Sequence, residues 1–225
     1  MNKRQTELKA LVDETKAYPI TEALELVKKT ATAKFDESIE LHLRLGIDPK
    51  KSDQQIRGTI SFTKSIGKNR IVAAFVDPEK EAEAKEAGAD IIGNEEVIAE
   101  LIQKGNINFD VAVATPTMMP KLAKLARLLG PRGLMPNPKT DTVNQNVSKM
   151  IQEQKAGKES FKNDKASNIH QIFGRASMDV ADLEENLNLI IEAIRRLRPA
   201  SAKGIFIRNA SISASMGPGI KIDLS

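Results

Sequence analysis

Residues 39–47 read IELHLRLGI and residues 71–76 read IVAAFV, and the contrast between them decides the fold class. In the first, Ile39, Leu41, Leu43, Leu45 and Ile47 alternate with Glu40, His42, Arg44 and Gly46, the period of a strand with one buried and one polar face. In the second, one apolar residue follows another, as in a strand covered on both faces.

Working outward, the sequence predicts a helix near Thr21–Lys29 ahead of the first run. After the polar turn Asp48–Asp53 comes another alternating run, Ile56, Ile60 and Phe62 against Arg57, Thr59 and Ser61. The two runs are expected to pair antiparallel with one face open. Around Ile71–Val76 the style is different. Short apolar runs there, continued at Ile91-Ile92 and Val111–Ala114, are separated by helix-like stretches at Pro78–Ala87, Glu95–Ile102 and Met119–Leu129. That βαβαβ rhythm implies a parallel sheet covered on both sides. Beyond Lys155–Lys158 the alternation returns in Ile169–Phe173, in Gly204–Ser215 and at Ile220, Ile222 and Leu224, with an amphipathic helix over about Val180–Leu197. The last strand is too short to stand alone and the early ones lack partners. Both chain ends are therefore expected in one α+β domain, residues 1–66 with 160–225, and residues 67–159 in an inserted α/β domain.

The 225-residue chain is 40% hydrophobic and carries 34 basic against 30 acidic residues, a net charge of +4. Residues 67–159 hold 13 of each sign, so the excess belongs to the outer domain. The inserted part is nevertheless polarised: Lys121, Lys124, Arg127, Arg132 and Lys139 fall in a stretch without an acidic residue, whereas Glu79–Glu100 is strongly acidic. The chain has no cysteine, which removes disulfides, thiolate metal sites and cysteine nucleophiles together. Met1–Tyr18 lacks the apolar core of a secretory signal, and no apolar run is long enough to span a bilayer. A cytosolic protein without membrane contact is expected.

The α/β enzyme reading has little to stand on. Gly130-Pro131-Arg132-Gly133 is a glycine-bearing loop that can bring helix N-termini to a phosphate, but neither the dinucleotide nor the nucleoside-triphosphate glycine pattern occurs. His42 and His170 belong to no motif pairing a base with a nucleophile, and Asp110, Asp141 and the acidic helices match no metal-binding spacing. No catalytic residue, cofactor or metal is expected. Nucleic-acid binding fits better: Lys34-Phe35-Asp36-Glu37-Ser38 leads into the open face of Glu40, His42 and Arg44, and Ser211–Gly219 is rich in serine and glycine around Met216. Small hydroxyl groups and bare amides reach ribose and phosphate without bulk. On residue type alone, Phe35 reads as a core side chain and Ser215–Gly219 as an ordinary turn. Aromatics are 4% of the chain and tryptophan is absent, so recognition should be of folded RNA by shape rather than by base stacking.

Three strings go further: FDESIELHLRLGIDPKKSDQQIR at 35–57, TPTMMPKLAKLARLLGPRGLMPNPK at 115–139, and KGIFIRNASISASMGPGIKI at 203–222. Together they resemble the ribosomal protein L-one family in its bacterial form, and the resemblance runs essentially from end to end. It implies an α+β domain made from both chain ends, and an inserted Rossmann-like three-layer α/β domain joined through hinges near Gly67 and Gly157. It further implies a protein, monomeric when off the ribosome, that binds large-subunit rRNA at the mobile stalk, assists release of exit-site tRNA and represses its own messenger RNA. Carried over by position, the RNA surface comprises Lys34, Phe35, Ser38, Glu40, Ser215, Met216 and Gly217, with Lys51, Arg57, Arg175 and Ser177 as neighbours. The basic stretch Lys121, Lys124, Arg127, Arg132 and Lys139 becomes a secondary RNA-facing surface. Ser215 stands where the family commonly has threonine, which keeps the hydroxyl and loses a methyl. Glu40 sits awkwardly beside phosphates unless it accepts from a ribose hydroxyl or orients Arg44.

Overall fold

The computed structural model describes residues 3–13, 15–64, 66 and 70–224. The chain divides into two compact units, residues 1–67 with 160–225 and residues 68–159; Gly67, the first expected hinge, lies outside the described residues. The opening segment supplies helices α1 (Lys3–Ala10) and α2 (Ile20–Thr30) and strands β1 (Ser38–Leu45) and β2 (Arg57–Ser61). The middle supplies β3 (Val72–Phe75), α3 (Glu81–Glu86), β4 (Ile91–Ile92), α4 (Glu95–Lys104), β5 (Val111–Ala114), α5 (Met119–Leu122), α6 (Ala126–Leu129) and α7 (Val147–Lys155). The return supplies β6 (Lys158–Lys162), β7 (Asn168–Arg175), α8 (Val180–Arg196), β8 (Ile207–Ala214) and β9 (Ile220–Lys221).

In the first unit β7, β1, β8 and β9 form a four-stranded sheet in that order, every pairing antiparallel. The alternation in β1 becomes burial: Ile39, Leu41, Leu43 and Leu45 are buried, while Ser38, Glu40, His42 and Arg44 are not. The apolar face is covered by α2, through Ala23, Leu24 and Val27, and by α8, through Leu183, Leu187, Ile190, Ile191 and Ile194. Spacings of three and four residues put each set on one side of its helix. Asn186 is fully buried among these aliphatics, where its side-chain amide donates to the Phe173 carbonyl at 3.0 Å and the Lys64 carbonyl at 3.2 Å. The expected pairing of β1 with β2 does not occur. The return strands β7 and β8 take both edges of β1, and β2 pairs with β6 instead. Alternation reports a half-buried strand but not its neighbour.

In the second unit β4, β3 and β5 form a parallel sheet in that order. Alternate residues of the apolar runs go to opposite cores. Val72, Ala74 and Val113 pack with Ala84, Val147, Met150 and Ile151 of α3 and α7. Ala73, Phe75, Ala112 and Ala114 pack with Ile98, Leu122, Leu125 and Leu129 from α4 to α6. Two covered faces explain why the strand sequences do not alternate. α7 has no counterpart in the sequence-based expectations, although Asn146 caps it by accepting from the Lys149 N–H at 3.1 Å.

Candidate nucleic-acid interface

The register of the four-stranded sheet brings three connections to one end. Ser38 at the start of β1 faces Arg175 at the end of β7, and Ile39 faces Ala214 at the end of β8. The segments before β1, after β7 and after β8 therefore meet, and backbone chemistry fastens them. The Ser215 N–H donates to the Ser38 carbonyl at 3.0 Å, and the Ser215 hydroxyl reaches the same oxygen at 3.3 Å. The Ala176 N–H donates to the Glu37 carbonyl at 2.9 Å. Asp36 accepts from both the N–H and the hydroxyl of Ser177, at 3.1 and 2.9 Å, while the Arg175 guanidinium donates to the Asp36 carbonyl at 3.0 Å.

Glu37 is the centre of this arrangement; it lies within the Lys34–Ser38 cluster but was not among the residues assigned to the RNA surface. Its carboxylate is 1% exposed. One oxygen accepts the Ala33 N–H at 2.8 Å, and the other accepts the Met216 N–H at 2.9 Å. Arg4, from α1, stands 3.7 Å from the carboxylate and also donates to the Thr32 hydroxyl at 2.9 Å. A hydrogen bond to a buried carboxylate is stronger than one between neutral groups, so Glu37 ties two separate loops together. The signal was in the sequence: Glu37 shares the parity of Ile39 and Leu41, which is the buried one.

On that frame stand the exposed side chains. Phe35 is 57% exposed, and so is not a core residue, and Met216 is 50% exposed; Lys34, Ser177 and Ser215 are exposed as well. The uncovered sheet face runs on from them. Glu40 has Ile172 on one side and Ser213 on the other, His42 has His170 and Ser211, and Arg44 has Asn168 and Asn209. The Nδ1 atoms of His42 and His170 lie 2.8 Å apart, and His42 Nε2 lies 2.9 Å from the Ser213 hydroxyl. Burial, and then the field of His170, lower the His42 pKa, against the opposing influence of Glu40. Nothing in the sequence pairs these two histidines, 128 residues apart; only the strand register does. Glu40 forms no ion pair with Arg44 among the described residues. Around Glu40, Arg44 and the partly exposed Ile172, the face presents hydroxyls, amides and imidazoles, groups that match ribose and phosphate oxygens.

Not every predicted residue joins this cluster. Lys51 lies beyond the other end of β1, whose run from Ser38 to Leu45 spans roughly 23 Å. Arg57 lies on β2, beside a separate groove with Lys162, Asn163 and Lys165. They are therefore not neighbours of the first cluster, because the strand between carries the chain away. Arg175 and Ser177 are neighbours, through Asp36. In the second unit Lys121, Lys124, Arg127, Arg132 and Lys139 are all exposed. Gly130–Gly133 follows the C-terminus of α6, with Gly133 at φ 71, so it meets the carbonyl end of a helix and not the amide end that attracts phosphate. At the ends of β3 and β5, Asp77 accepts from the Thr115 hydroxyl at 3.2 Å and from the Thr117 hydroxyl, placing a carboxylate where a nucleotide phosphate would have to sit. Among the described residues no group of three or more His, Asp or Glu side chains is arranged to hold a metal ion, and no helix is long and apolar enough to cross a membrane.

Residues 27–218 match the model of the ribosomal protein L1p/L10e family. The large ribosomal subunit protein uL1 of Kosmotoga olearia is 52% identical over 222 residues, covering 99% of this chain and 96% of that protein. The protein of the same description from Fervidobacterium nodosum is 49% identical over 224 residues, covering 100% of this chain and 95% of that one.

Proposed function

Because the chain belongs to the ribosomal protein L1p/L10e family, whose members related to it are structural proteins of the large ribosomal subunit and not enzymes, we propose that it binds large-subunit rRNA at the mobile stalk beside the tRNA exit site. Residues 1–66 and 160–225 act as the RNA-binding domain. Lys34 neutralises phosphate, Phe35 and Met216 fill shallow recesses of the folded RNA, the Ser38 and Ser215 hydroxyls bond ribose and phosphate oxygens, Glu40 accepts from a ribose hydroxyl, and Gly217, whose N–H is held by the Ala214 carbonyl at 3.0 Å, lets the RNA approach without side-chain bulk. Arg175 and Ser177 hold Asp36 and flank the contact. The observation that carries this assignment is the fastening of three connections at one end of the sheet, which leaves Phe35 and Met216 exposed on a backbone already ordered. A surface organised before binding does not have to be ordered by the RNA.

On the ribosome, residues 67–159 act as an inserted domain whose basic stretch from Lys121 to Lys139 faces tRNA or distal rRNA, and its movement assists release of deacylated tRNA. Off the ribosome, the same cluster represses the operon by binding a messenger structure that mimics the rRNA site. The test is filter binding of the protein to a stalk-region rRNA fragment and to an unrelated folded RNA of equal length, across a salt series. Tight binding to the stalk fragment alone is expected, with a slope shallower than the roughly 0.7 to 0.9 per phosphate of a purely electrostatic footprint. Met216→Asp should weaken it at least about tenfold, the cost of a charge at a close-fitting contact. Equal, steeply salt-dependent binding to both RNAs would leave only a generic basic surface.

A further inference from the structure

The far end of the same sheet, away from the fastened connections, holds a groove of about 560 Å³ walled by the end of α8, the start of β8 and residues 222–224. Arg195, Arg198 and Arg208 line it, with Asn209 beside them and Asp223 as the single carboxylate among the described lining residues. Two of the arginines are held by neutral backbone acceptors. Arg195 donates to the Leu224 carbonyl at 2.9 Å. Arg198 donates to the carbonyls of Ala202 and Gly204, at 3.3 and 3.0 Å, and lies 6.0 Å from the Phe206 ring centroid. Arg208 is exposed, its Nε above Gly46. None of the three forms an ion pair among the described residues. Carbonyl partners fix a guanidinium without neutralising it, so three like charges border one concavity and repel one another. A bound anion relieves that repulsion, and a planar fork held in place is suited to the paired oxygens of a phosphate.

The geometry points to this groove as a second anchoring site for the phosphate backbone of bound RNA, held by Arg195, Arg198 and Arg208. It rests on the RNA-binding function proposed above and extends the footprint. From Arg208 to Ser215 the strand runs seven residues, roughly 23 Å, so an RNA confined to the Ser215–Gly217 cluster does not reach the groove and one a helical turn longer does. Arg208 is the residue to change, because it is exposed and its side chain supports nothing else.

The experiment compares wild-type, Arg208→Gln and Met216→Asp proteins, as full chains, against a minimal stalk fragment and the same fragment lengthened by one helical turn. Arg208→Gln should weaken the longer RNA about three- to tenfold, lower its salt slope by about 0.7 to 0.9, and leave the minimal fragment unaffected. Met216→Asp should weaken both. If Arg208→Gln leaves affinity and slope for the longer RNA unchanged while Met216→Asp weakens both, the groove is no RNA site and the main cluster stands. If Met216→Asp changes neither, the main cluster itself is wrong. A thermal midpoint raised by inorganic phosphate in wild type but not in Arg208→Gln, with RNA affinity unmoved, would mean a small-anion site and overturn the assignment to RNA.

Discussion

Glu37→Gln tests the buried tie most directly. Glutamine has the shape of glutamate but keeps one acceptor oxygen, and the second oxygen becomes an amino group that must face either the Ala33 or the Met216 N–H. One hydrogen bond to a charged group, worth about 1.5–3 kcal/mol, is lost, and a buried donor goes unmet. Arg4 stands 3.7 Å from the carboxylate, beyond hydrogen-bond reach, so the loss is that of the backbone hydrogen bond alone. Taking the loss as about 2 kcal/mol, the population with both loops docked falls, and RNA that selects the docked state binds up to about 30-fold more weakly, at 1.4 kcal/mol per decade. Filter binding to the stalk fragment reads the affinity, and urea unfolding reads how much of the loss is global. A variant that loses about 2 kcal/mol of global stability yet binds RNA within twofold of wild type would refute the idea that Glu37 organises the RNA surface.

Phe35→Ala should leave the urea midpoint nearly unchanged, within about 0.5 kcal/mol, because the ring is 57% exposed, while RNA affinity falls about tenfold; a large loss of stability would return Phe35 to the core. Gly46→Ala should cost about 1–3 kcal/mol in urea unfolding, since its Cβ would come within 2.2 Å of the Ile205 carbonyl oxygen, and an unchanged midpoint would contradict that approach. The lowered pKa of His42 has a definite sign: the unfolded chain takes up the proton more readily than the native one. Its contribution to stability is whole above the unfolded value of about 6.5 and is lost as pH falls from there through the folded value. Denaturation midpoints taken from pH 7.5 to 5 should fall less steeply in His42→Asn than in wild type; parallel curves would show that the pair is not responsible.

Periodicity made much of this fold legible, and its limits have a common cause. Alternation at 39–47 and continuity at 71–76 separate a one-sided sheet from a two-sided one, because each residue's parity is fixed by the pleat. Parity also carried Glu37, and the Asn146 cap before Val147, Met150 and Ile151 carried α7; both signals were local and went unused. What parity cannot carry is partnership. β1 takes β7 and β8, not the nearer β2, since strands from distant parts of the chain compete for its edges. The histidine pair and the distance of Lys51 from Phe35 depend on that outcome.

The open face explains why the site can be both ordered and accessible. A sheet face left uncovered in water has to be polar, and here the polarity comes from serine, asparagine and histidine rather than from a dense field of lysines. Such groups bond oxygen atoms at defined distances and add little long-range attraction. Affinity built that way depends on the fixed spacing between Phe35, the β1 face and Met216, which the backbone ties to Asp36, Glu37 and Ser38 maintain. It follows that substitutions in those ties and substitutions of the exposed contacts should differ in kind. The first should lower affinity and local stability together, with the salt slope little changed, because no phosphate contact is removed. The loss of a phosphate-bonding cation such as Lys34 should reduce the slope by about one contact's worth and leave stability alone.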